Sequence, residues 1–153
     1  MLCGGGRVSY YLAKILEKNG ISVQLIERDY DRCVQLSAML PGVCVVHGDA
    51  SSERMLDSEG IADCDALVTL TGLDELNMVI SLYGTSCGVP QIITKVGRVG
   101  NSHILNSLSI GSIISPKDLC CNTIVRYVRA MKNQTGAALS VHSIADGQME
   151  AVQ

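Results

Sequence analysis

The sequence predicts a doubly wound α/β domain: a parallel sheet of about six strands with helices on both faces, then one more helix and a short tail. Three observations carry this. Short runs of β-branched and aliphatic residues alternate with amphipathic helical patterns along most of the 153 residues. The strand runs are nearly continuous in apolar character, as burial on both faces requires. A glycine cluster, Gly4-Gly5-Gly6, sits between the first short strand and the first helix.

The elements follow in order. Met1-Leu2-Cys3 is a strand shorter than the roughly five residues usual for a strand, which reads as a chain cut inside its first strand. A helix then places Val8, Tyr11, Leu12, Ile15 and Leu16 at helical spacing and ends at Asn19-Gly20. Further strands are expected over 23–26, 43–46, 66–70, 92–96 and 112–115. Between the fourth and fifth, a helix carries Leu76, Val79, Ile80 and Tyr83 on one face and stops near Gly88. Strands separated by helices imply right-handed crossovers and a parallel sheet. Ser115 caps, and Pro116 begins, a last helix reaching about Lys132, with Ile124, Tyr127, Val128 and Met131 on one face. A strand-like run over 138–144 and a turn at Asp146-Gly147 close the chain. The expected organisation is therefore a domain over 1–115, a helix within 116–136, and a tail over 137–153 that is a linker or the start of a truncated subdomain.

Composition narrows the function. Hydrophobic residues make up 47% and charged residues 18%, enough for a packed core and against disorder. Phe and Trp are absent, so the core must rest on Val, Ile, Leu, Met and Cys. A net charge of -3 without a basic stripe argues against a nucleic-acid surface. The seven cysteines include no Cys-x-x-Cys pair, and His47, His103 and His142 are scattered, so metal-ligand spacing is missing. Reduced core thiols in a cytoplasmic protein are the expectation. No run approaches the roughly 20 apolar residues of a membrane span and no signal peptide opens the chain, so a membrane role must come through a partner.

The glycine run, read as Gly4-x-Gly6-x-x-Ser9, carries the chemistry. Gly4 makes a tight turn, Gly6 lets backbone approach a pyrophosphate, and the helix opening at Arg7-Val8 turns its free N–H groups toward that anion. Gly5 lies between them. Ser9 replaces the usual third glycine or alanine but is small enough for close helix–strand packing. The second strand ends in Glu27, 21 residues beyond Gly6, where a carboxylate takes both hydroxyls of an adenosine ribose. This makes the domain Rossmann-like and favours NAD over NADP, with the adjacent Arg28 leaving an opening for NADP. Asp49 and Ala50 follow the third strand; Asp49 either accepts from an adenine amino group or caps the helix near Ser51. Thr71 and Gly72 close the fourth strand, as ligand contacts or as a plain turn. Lys95 and Arg98 end the fifth and, with Arg7, are candidate phosphate cations or ordinary solvated surface. No nucleophile–base arrangement can be placed on this topology, and a lone His47 at a strand end is a poor catalytic acid.

Taken together, Cys3-Gly4-Gly5-Gly6-Arg7-Val8, Leu25-Ile26-Glu27-Arg28-Asp29, His47-Gly48-Asp49-Ala50 and Thr71-Gly72-Leu73-Asp74-Glu75-Leu76-Asn77 resemble a known family. So do Thr94-Lys95-Val96 and Ile114-Ser115-Pro116. The likeness is to the RCK/KTN (TrkA-N) regulatory domains of potassium transport, nearly end to end. It implies binding of NAD(H), or of ATP, ADP or AMP. It also implies a homodimer or larger homo-oligomer paired through the helix from Pro116, and a cytoplasmic station beneath an integral-membrane potassium transporter subunit. Gly4, Gly6 and Arg7 would meet phosphates, Glu27 the ribose, Asp49 and Ala50 the adenine, and Thr71, Gly72, Lys95 and Arg98 the rest of the ligand. Gly97 departs from the asparagine common there. The rival readings are a small NAD-dependent oxidoreductase, an S-adenosylmethionine methyltransferase, or a purely structural dimerisation domain.

Overall fold

The computed structural model describes residues 1–97, 108, 110–132, 141–144 and 149–152. One parallel sheet has strand order β3-β2-β1-β4-β5-β6. Its strands are β1 Leu2–Cys3, β2 Gln24–Glu27, β3 Cys44–His47, β4 Ala66–Thr69, β5 Gln91–Lys95 and β6 Ser112–Ile114. The ends expected from sequence for β2 to β6 fall within one residue of these positions. The helices are α1 Arg7–Lys18, α2 Tyr30–Met39, α3 Glu53–Ser58 and α4 Asp74–Ser86, with a 3-10 turn at Ile61–Asp63. The expected doubly wound fold is therefore present. The winding reverses between β1 and β4, which pair Leu2 with Val68 and Cys3 with Thr69, and such a switch opens a crevice at the carboxyl ends of the strands.

Strand alternation builds two cores. Leu2, Leu25 and Val68 face one side, packed with Ala13 of α1, Leu36 of α2 and Leu40 just after it. Cys3, Ile26, Leu67 and Ile92 face the other, with Leu56 of α3 and Ile80 of α4. Burial pushes the Cys3 thiol up to about 12, so it is an inert packing group. Cys33 is also buried, but Cys44, Cys120 and Cys121 are exposed, so core thiols describe only part of the set.

Two helix faces differ from expectation. In α1 the inward centre is Ser9 and Ala13, while Val8, Tyr11 and Ile15 are exposed. In α4 it is Asn77, Ile80, Ser81 and Gly84, while Val79 is 60% exposed. Small residues at i and i+4 let a helix sit close to the sheet, which turns larger neighbours outward. A Cβ on Gly84 would lie 2.4 Å from Leu67 Cδ2. Periodicity found the helices; contact distance chose their faces.

The inner face of α4 carries a buried hydroxyl chain. Thr69 Oγ1 lies 3.2 Å from Ser81 Oγ, which lies 2.7 Å from Thr94 Oγ1, and Thr94 also reaches the Ile110 carbonyl. A carbonyl only accepts, so Thr94 donates to Ile110, Ser81 to Thr94, and Thr69 to Ser81.

Two compact units divide the chain, Met1–Ser115 and Pro116–Gln153. The second holds α5, Pro116–Lys132, with Leu119, Ile124, Tyr127, Val128 and Met131 exposed along it. It also holds an antiparallel pair of β7 Val141–Ile144 with β8 Met149–Val152. The turn expected at Asp146-Gly147 lies outside the described residues.

Candidate functional site

A cleft of about 440 Å³ opens at the carboxyl ends of β1 to β5. Its floor is the glycine loop. Gly4 has φ +100°, and a Cβ there would stand 3.0 Å from the Thr71 backbone, so the loop passes β4 at a distance only glycine allows. A Cβ on Gly5 would strike Leu36 and Glu27, whereas one on Gly6 would meet open space. Gly6 begins α1 without a side-chain cap, and no acid stands in that helix's first turn. The other helix starts are closed differently. Asp29 caps α2, Ser52 caps α3, and α4 carries Asp74 and Glu75 in its first turn. Only α1 among these four presents its amino end, with its positive dipole end, to the cleft unneutralised.

Beside the loop, the Glu27 carboxylate accepts from two amides, Gly5 N–H through Oε2 and Asp29 N–H through Oε1 at 2.8 Å. Each oxygen keeps a second lone pair for a further donor. Arg32, which no sequence motif marks, donates from Nε to the Gly5 carbonyl at 2.8 Å. Arg28 is exposed and lines the cleft.

Across from Glu27, Asp49 accepts from the Ser51 amide at 2.9 Å, so it forms a local turn and leaves the capping of α3 to Ser52. Hydrogen bonds from Ser51 hold its carboxyl below the usual range, and the Arg28 charge adds to the effect. His47 sits at the same rim, 3.1 Å from the Arg28 carbonyl through Nε2 and edge-on to Tyr30.

The far end is arranged by Asn77, which is fully buried and which the sequence pattern did not single out as a site residue in its own right. Its Oδ1 accepts from the Thr71 amide and hydroxyl at 2.9 and 2.8 Å. Its Nδ2 donates to the carbonyls of Thr71 and Lys95 at 3.3 and 3.0 Å. Lys95 Nζ donates to the Thr71 carbonyl at 2.6 Å. The donors of Thr71, expected to face a ligand, are thus turned inward to Asn77. Gly97 N–H is held by Asp74 at 2.7 Å, which ties the end of β5 to the start of α4.

Of the residues singled out from sequence, Gly4, Gly5, Gly6, Glu27, Arg28, Asp49, Ala50, Thr71, Gly72 and Lys95 line this cleft. Arg7 and Val8 are exposed on the first turn of α1 and do not line it, and Arg98 lies outside the described residues. Leu73 and Leu76, which line it too, had no polar signal to mark them. Among the described residues no cluster of three or more His, Cys, Asp or Glu could hold a metal ion.

Residues 1–116 match the TrkA-N domain family. The chain belongs to that family. Its relatives include the Trk system potassium uptake protein TrkA of Halomonas elongata, 31% identical over 153 residues, which cover all of this chain and 32% of the relative. The TrkA homolog of Archaeoglobus fulgidus is 32% identical over 143 residues, covering 94% of this chain and 33% of the relative. The TrkA of Haemophilus influenzae is 30% identical over 153 residues, 100% of this chain and 32% of its own length. The TrkA-N chain described here therefore spans about a third of the length of these relatives. Among solved structures, the TrkA-N domain of the Escherichia coli inner membrane protein ybaL aligns with a TM-score of 0.74 at 18% identity, covering 83% of this chain and 93% of that one. The NAD(P)-binding domain of an exopolyphosphatase-related protein from Archaeoglobus fulgidus aligns at 0.72 and 16% identity, covering 85% and 97%. At those identities the likeness is one of fold. No described helix is long and apolar enough to cross a membrane.

Proposed function

We propose that this TrkA-N domain is a nucleotide-sensing regulatory module of a potassium uptake system. It binds NAD(H), or ATP, ADP or AMP, and couples the occupied state to an integral-membrane transporter subunit from the cytoplasmic side. The observation that carries the reading is the pairing of an open α1 amino end with the Glu27 carboxylate across the glycine loop. The diphosphate would sit over Gly6 and the first turn of α1, with Arg7 as a counter-charge. The ribose would take the remaining lone pairs of Glu27, and the adenine would lie toward Arg28, Asp49 and Ala50. Gly72 and Lys95, and Arg98 three residues further along the chain, would meet the distal part of the ligand. A 2′-phosphate would face the Glu27 carboxylate directly, which favours NAD(H) over NADP(H).

Regulation requires that the ligand bind two conformations unequally. The relatives are named as potassium uptake proteins, which supports a regulatory rather than an enzymatic role. The exposed apolar stripe of α5 supports self-association, which sedimentation of the chain at micromolar concentration tests. The central experiment is calorimetric titration with NADH, ATP and S-adenosylmethionine, on the protein and on Glu27→Ala. Binding of NADH or ATP that weakens by about 1–3 kcal/mol in the variant is the expected result, from loss of hydrogen bonds to a charged group. Binding of S-adenosylmethionine alone would favour the methyltransferase reading, and turnover of NADH with a carbonyl substrate the oxidoreductase.

A further inference from the structure

Gly5 belongs to two peptide planes, and a different side chain holds each. Its N–H, in the Gly4–Gly5 plane, points at Glu27 Oε2, and its carbonyl, in the Gly5–Gly6 plane, points at Arg32 Nε. The bonds close a circuit. Glu27 Oε1 accepts from Asp29 N–H, Asp29 Oδ1 accepts from Arg32 N–H at 2.7 Å, and Arg32 Nε–H returns to Gly5. A further bond from Arg32 Nη1 to Gln35 Oε1 at 3.2 Å keeps the guanidinium in its plane.

The Gly5–Gly6 plane needs such a hold. Neither residue has a Cβ, so steric resistance to a flip of the peptide between them is weak. The peptide is trans, which sets its carbonyl and its N–H in opposite directions. With the carbonyl drawn to Arg32 on α2, the Gly6 N–H is directed away from α2, and Gly6 lines the cleft with open space around it. A flipped plane would exchange the two and turn a carbonyl oxygen to where the N–H now points.

We infer that Arg32 is a positioning residue that locks the Gly5–Gly6 peptide with its N–H, rather than its carbonyl, available to a ligand phosphate. This rests on the nucleotide reading above and names a residue that touches no ligand in it. The lock acts on the phosphates alone, because ribose and adenine are met by Glu27 and the Asp49 side. The test is to compare NADH, ADP and adenosine binding to the whole chain as it stands and to Arg32→Met and Arg32→Lys, by calorimetry and, for adenosine, by NMR titration.

Expected for Arg32→Met is a loss of about tenfold for NADH and ADP against less than about twofold for adenosine, the scale of one charge-assisted hydrogen bond. Arg32→Lys, which keeps a charged donor, should recover much of the difference. Where Arg32→Met does not fold, Arg32→Gln carries the same comparison. An ADP-to-adenosine ratio unmoved by removal of the guanidinium would overturn the lock while leaving the nucleotide reading intact. Failure of the unmodified chain to bind any of the three would overturn that reading, and the lock with it.

Discussion

At the glycine end of the cleft, backbone amides and carbonyls are held by two half-buried side chains that flank the β2–α2 turn, Glu27 and Arg32. At the lysine end, a single fully buried amide, Asn77, holds Thr71 and Lys95 from beneath. The first end draws its order from several charge-assisted ties near solvent, each replaceable by water. The second concentrates four bonds in one group that water does not reach. The difference teaches that the same task, fixing a loop beside a cleft, carries very different stability costs when its fixing residue is removed.

The largest test of that contrast is Asn77→Ala, which takes away the buried side chain that pairs with the Thr71 amide and the carbonyl of Lys95. We expect a loss of about 3 kcal/mol and a melting temperature lower by about 10 °C, against about 1 kcal/mol or less for Arg32→Met, with the free energies read by urea unfolding and the melting temperature by a thermal scan. Equal losses would erase the distinction between the two ends. Within the glycine end, Gly4→Ala should cost about 2 kcal/mol through its positive φ and the 3.0 Å approach to Thr71. Gly6→Ala should change stability by under about 0.5 kcal/mol while placing its methyl in the cleft, so nucleotide binding should fall without a matching loss of fold.

Ser9 offers a change of opposite sign. Its Oγ is buried without a partner, so Ser9→Ala should raise stability by about 1 kcal/mol, seen as a higher urea midpoint at unchanged slope. The smallest effect is expected at Asp49. Its carboxyl is held below the ordinary value, so its contribution is present above about pH 4 and lost as the pH falls through the lowered value. The advantage of the protein over Asp49→Asn should be a few tenths of a kcal/mol at pH 6, screened by solvent, and should shrink steadily as the pH falls below about 4. A gap that widens on acidification would mean that Asp49 is held in the opposite sense.

The two ends also differ in how readable they are from sequence. Gly4, Gly6 and Glu27 are legible because their roles depend on backbone shape and on a fixed spacing after one strand. The alternating strands are legible because burial on two faces leaves long apolar runs. Asn77 is visible as part of the run Thr71 to Asn77, but its work is not, since it depends on where β5 brings Lys95. Arg32 looks like any basic residue in a first helical turn, and only the approach of α2 to the glycine loop gives it a partner. The outward turn of Val8, Tyr11 and Val79 is hidden for a related reason: periodicity marks a stripe, while Ala13 and Gly84 decide how close the helix comes.

The hydroxyl chain under α4 has a consequence for how these positions can drift. Its protons run one way, from Thr69 through Ser81 and Thr94 to Ile110, because the last acceptor cannot donate. Thr69 stands at the head of the line, so valine there asks nothing of its neighbours except that Ser81 lose one incoming bond. Valine at 94 removes the acceptor at 2.7 Å, so Ser81 must turn its proton back to Thr69 at 3.2 Å, and it leaves Ile110 without its donor. Substitution should therefore proceed from the head: 69 is free to change first, 81 next, and 94 only in company.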